Sequence, residues 1–120
     1  MKMKLWNLGK GLLTLSMLCT SSNSVAGHTG ALGGSVHNLK VHKTSGMPVV
    51  MFKTIPHVSP PMCGDTEAFE WAITLDDFGK SVYSLLLSAQ AQQKRVFIHG
   101  KNTCEDWDDR ESIWHITLGD

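Results

Sequence analysis

Histidines, carboxylates, thiols and indoles are the side chains best able to do chemistry, and this chain spaces them unevenly. Its six histidines stand at positions 28, 37, 42, 57, 99 and 115. His37 and His42 are an odd number of residues apart, so on one strand they point to opposite faces and share no ion. His99 and His115 fall on two stretches that read as paired strands, but two imidazoles are fewer ligands than zinc takes. Glu105, Asp106, Asp108, Asp109 and Glu111 put five acids into seven positions. Such a run suits a hard cation such as calcium, yet its spacing is not that of an EF-hand loop, and it is better read as a solvated acidic loop. No metal and no cofactor is expected. Nucleophilic catalysis needs a serine or cysteine beside a histidine and an orienting acid. The serines at 59, 81, 84, 88 and 112 lie in no nucleophile-elbow context, so no catalytic residue is assigned and the chain is expected not to be an enzyme.

The tryptophans offer binding chemistry instead. Trp71 and Trp114 fall on the apolar faces of alternating stretches and read as core. Trp107 lies in the acidic loop, where no periodicity buries it. Two readings stay open for it: an exposed indole that stacks on a sugar ring while Asp106 and Asp108 accept hydroxyl hydrogen bonds, or a ring folded back over a disulfide. Trp107, Asp106 and Asp108 are the candidate ligand residues.

What positions these groups begins with an export signal. Lys2, Lys4 and Lys10 precede a Leu- and Met-rich stretch from Leu8 to Cys19, an n-region followed by an h-region. The stretch is about a dozen residues, short of the roughly 20 needed to span a bilayer. Small residues ending at Ala26 place the cut between Ala26 and Gly27, making 1–26 a signal peptide. Leu18 before Cys19 argues against lipid attachment. The remaining chain carries eight basic residues against eleven acids, a net charge of −3. That balance argues against nucleic acid as a partner. Cys63 and Cys104, the two cysteines left, are expected to form a disulfide in an oxidising compartment, secreted or periplasmic.

Residues 27–35, four of them glycine, read as a flexible N-terminus, and 36–120 as a single domain. Alternation predicts strands over 36–43, 47–55, 67–75, 95–99 and 112–118, the second apolar on both faces. In the last, Trp114, Ile116 and Leu118 are expected on one face and Ile113, His115 and Thr117 on the other. Pro56, Pro60 and Pro61 make 56–66 a loop that delivers Cys63, and 101–111 is a second loop. The segment 79–93 reads as a helix introduced by Asp76 and Asp77, apolar around much of its circumference and so covered on more than one side. The order β-β-β-α-β-β is that of an OB-fold, a five-stranded Greek-key barrel; the alternative is an open α+β sheet.

The run Gly79-Lys80-Ser81-Val82-Tyr83-Ser84-Leu85-Leu86-Leu87-Ser88-Ala89, with Val96-Phe97-Ile98-His99-Gly100, Cys104 and Glu111-Ser112-Ile113, resembles a family of small secreted proteins of Gram-negative bacteria, largely uncharacterised. The match runs from Cys63 to the C-terminus. More loosely the chain is similar to the binding subunits of pentameric bacterial toxins, in export, length, one disulfide and element order. These resemblances imply an exported, non-enzymatic binding module for a glycan or a protein, with homo-oligomerisation as a further expectation. A structural or stress-related envelope protein is the alternative.

Overall fold

A computed structural model describes residues 25–66 and 68–120. The signal-peptide reading therefore lies almost wholly outside the described residues. Five strands and one helix follow in order: β1 (Ser35–His42), β2 (Val49–Ile55), β3 (Glu70–Thr74), α1 (Asp77–Gln92), β4 (Val96–Gly100) and β5 (Glu111–Leu118). A short 3-10 turn, Met62–Gly64, interrupts the loop before β3. The strands lie in the order β1-β2-β3-β5-β4. Neighbours are antiparallel except β3 and β5, which run parallel. The sheet is mixed and open rather than closed into a barrel. Its two edges touch through one isolated bridge, where Gly34 and Val96 exchange backbone hydrogen bonds of 2.8 and 2.9 Å. Among the described residues no helix is long and apolar enough to cross a membrane.

The alternation in β2 and β3 determines two layers of core. Val50, Phe52, Trp71 and Ile73 point to the face covered by α1 and meet Val82, Leu86 and Ala89 of the helix, with Val96, Ile98 and Ile113. Val49, Met51 and Ala72 point to the other face, where Trp107 covers them. β2 is thus buried on both sides, as its unbroken apolar run requires.

The helix buries one stripe, Gly79, Val82, Leu86 and Ala89, spaced three or four apart as a single face demands. Its other apolar residues are covered only in part: Tyr83 packs against the core and Leu85 is half-buried, but Leu87 is 45% exposed and Ala91 is exposed. Asp76 starts the helix by accepting the Gly79 N–H at 2.8 Å. Gln93 ends it in a left-handed conformation, φ 54°, as helix-terminating residues often do.

Two strands depart from simple alternation. In β1 the register slips between His37 and Lys40, with Asn38 at φ 54°, so that Leu39 packs on the core while Val41 is half exposed. In β5, His115 pairs with His99 but Ile113 pairs with Gly100. Trp114 is the residue skipped. A bulge of one residue swaps the faces on either side of it, so Ile113 is buried and Trp114 is 68% exposed. The expectation of Trp114 as core is corrected accordingly.

The glycine-rich segment read as a flexible N-terminus is docked instead. His28 and Val58 exchange backbone hydrogen bonds, and Thr29, 2% exposed, bonds to Ile98 through both its backbone N–H and its hydroxyl. Glycines that lack side chains to pack still bring N–H and C=O groups, and here those groups are paired.

Candidate functional site

The loop 101–110 is built from β5 outward. The Ser112 hydroxyl accepts from the N–H of Glu105 at 3.0 Å and of Asp106 at 3.1 Å. Ser112 N–H donates to Thr103 O, and Lys101 N–H donates to Ser112 O. Asp106 Oδ1 accepts from both the backbone N–H and the hydroxyl of Thr74 at the end of β3. Cys63 and Cys104 form a disulfide with Cα atoms 6.2 Å apart, 41 residues apart in sequence. The bridge ties the Pro-rich loop to this one, as expected. Closing a loop of that length stabilises the fold by about 4 kcal/mol in the chain-entropy account.

This framework forms one wall of a cleft of about 400 Å³. The other wall is the N-terminus of α1. Trp114 and Phe78 contribute apolar surface, while Lys101, Glu105, Asp106 and Asp76 contribute charge. Lys101 Nζ donates to Glu105 Oε2 at 2.8 Å. That hydrogen bond, aided by the charges of Glu105 and Asp106 and opposed by slight burial, holds the ammonium above the ordinary lysine range. An exposed indole beside hydrogen-bonding carboxylates and an ammonium can stack on the apolar face of a pyranose while the polar groups bind its hydroxyls.

The residues singled out in the sequence are placed differently from one another. Asp106 lines this cleft. Asp108 is exposed on the same loop. Trp107 is turned away: it packs on Val49, Met51 and Ala72 and meets the His42 ring edge-on at 4.7 Å. Half-buried, it covers the second core layer. His99 and His115 do pair across strands, with ring centroids 5.3 Å apart. No group of three metal-ligating side chains occurs among the described residues.

Among the described residues two carboxylates are buried: Glu70, which the sequence reading missed, and Glu111, which it placed in the solvated acidic loop but which opens β5 with no exposure. Glu70, 3% exposed, sits between Lys40 Nζ at 2.7 Å and Arg110 Nη2 at 3.0 Å. Burial works to lower the pKa of Arg110, but its bonds to Asp109 and Glu70 outweigh that and raise it overall. Glu111 is fully buried. Its Oε1 meets His57 Nε2 at 3.0 Å, and its Oε2 accepts from the N–H of Gly27 and of Asn102. The other His57 nitrogen faces Phe69 O at 3.1 Å, and the ring stacks on Trp71 at 3.8 Å. The side chains of this histidine–glutamate pair are 1% and 0% exposed. Its partners lie 54 residues apart, and no local spacing signals the pairing.

The chain matches no protein-family model, no curated protein sequence and no solved structure.

Proposed function

We propose that the chain is an exported, non-enzymatic binding module that takes a glycan in the cleft between the start of α1 and the loop after β4. The observation that carries the reading is Trp114, a large apolar ring 68% exposed at the edge of that cleft. A single exposed ring is ordinary by itself; what supports a ligand here is that the indole stands with Phe78 beside convergent polar groups in one cleft. The carboxylates of Glu105 and Asp106 and the Lys101 ammonium supply the directional contacts that apolar stacking lacks. Asp108 does not line the cleft, and Trp107 acts indirectly, by anchoring the loop to the sheet.

Export is supported by the N-terminal charge and apolar pattern and by the disulfide, which persists in oxidising compartments. The acidic balance favours neutral or basic saccharides over nucleic acid. The resemblance of the sequence to toxin binding subunits motivates a further part of the proposal, a ring of subunits, with Leu87 as the exposed apolar helix residue outside the cleft. Size-exclusion chromatography with light scattering tests that part: a pentamer supports it and a monomer removes it. The binding site itself is tested on a glycan array. Capture of a saccharide by the wild type and its loss in Trp114→Ala support the site; a silent array for the folded wild type removes it.

A further inference from the structure

Gly27 is the first buried residue among those described. Its N–H donates to Glu111 Oε2 at 2.9 Å in a buried hydrogen bond, and its carbonyl accepts the Gly100 N–H at 2.8 Å. Bonding then continues through His28, Thr29 and Gly34. Two residues before Gly27, Val25 is 63% exposed. Burial rises over three residues, from exposed Val25 through half-buried Ala26 to buried Gly27, and the small residues mark the Ala26–Gly27 bond within that passage for a signal-type peptidase.

The site that receives Gly27 is shaped for its nitrogen. A Cβ at position 27 would overlap the Glu111 carboxylate and approach His57 Nε2 to 2.9 Å, so only glycine brings its backbone nitrogen this close. A fully buried carboxylate gains most from partners that carry full charge as well as N–H groups. His57 occupies one oxygen; on the other, Gly27 and Asn102 present backbone amides.

We propose that the Ala26–Gly27 bond is the processing site and that the α-ammonium released there takes the place of the Gly27 amide, forming a buried ion pair with Glu111. One water molecule is added across the peptide bond. The new carboxylate leaves with Ala26, and the new amine, protonated, stays on Gly27. Cleavage thereby converts a neutral donor at Glu111 into a charged one, and the processed chain is more stable than any chain still extended before Gly27. This inference rests on the export reading and is independent of the glycan site.

Three measurements test it. The full precursor is expressed in an exporting Gram-negative host and the product weighed intact. A chain beginning at Gly27 is expected; a product beginning elsewhere overturns the proposal while export stands, and a retained leader removes both. Next, the α-amine of the folded product is acylated with a succinimidyl ester. It is expected to react at least about tenfold more slowly than in the same protein unfolded in urea, as a buried charged hydrogen bond implies; equal rates overturn the pair. Finally, one alanine added before Gly27 is expected to lower the melting temperature by about 4 °C or more, and the loss should vanish in Glu111→Gln. A loss of the same size in both backgrounds, or none in either, contradicts the pairing. Should Glu111→Gln fail to fold, the amine reactivity of the wild type decides.

Discussion

Trp114 holds its indole in solvent beside Lys101, Glu105 and Asp106, and little packing depends on it. Replacing it with alanine should change stability by less than about 0.5 kcal/mol, the usual range for an exposed side chain. Binding of the captured glycan should fall at least about tenfold, the loss of a stacking contact worth roughly 1.4 kcal/mol. Trp107 behaves in the opposite way, because its ring covers Val49, Met51 and Ala72. Trp107→Ala should destabilise the protein by about 2 kcal/mol through the cavity it leaves, visible as an earlier urea midpoint. Unchanged stability in Trp107→Ala would contradict its assignment to the core. Glu111 stands apart from both. Glu111→Ala strands the His57 ring without its carboxylate and should cost about 3 kcal/mol or more, read by the same unfolding curve.

Among the elements, α1 sets the cleft's position through its first turn. Gly79 lies so close to β3 that a Cβ would overlap the Thr74 carbonyl. Gly79→Ala should therefore shift the helix start away from the sheet, carrying Phe78 with it. The expected result is a destabilisation well beyond the small gain that alanine brings to an ordinary helix position, together with weaker glycan binding. An alanine variant as stable as the wild type would show that the helix has room to move. β2 was legible from its unbroken apolar run and the core face of β3 from the alternation of Trp71 and Ile73, whereas the single buried face of α1 was not, because Leu and Ala residues stand all round the helix. The face of β5 was not, because one skipped residue opposite the His99/Gly100 step inverts the alternation and leaves no mark in the residue types. The docked N-terminal segment was illegible for a different reason. Its attachment is made by backbone groups and the Thr29 hydroxyl, and apolar periodicity is blind to both. The two candidate acids diverge similarly: Asp106 is fixed by the Thr74 bonds, a contact between residues 32 apart, while Asp108 has only its loop position to recommend it.

At the scale of the whole molecule, the open sheet is held at one end by the Cys63–Cys104 bridge and by the buried acids Glu70 and Glu111. Reduction should lower stability by about 4 kcal/mol, and glycan binding should weaken with it, since the loop carrying Lys101 to Asp106 loses its covalent tether. A melting temperature indifferent to reductant would contradict that role. The disulfide fits an oxidising compartment, where such bridges persist. The proposed saccharide site at the outward indole of Trp114 is tested most directly by a titration. The purified wild type, Trp114→Ala and Trp107→Ala are titrated with the saccharide captured on the array, and binding is followed by calorimetry. The predicted result is saturable binding by the wild type, retained by the folded fraction of Trp107→Ala and lost in Trp114→Ala; equal affinity in the wild type and Trp114→Ala would contradict it.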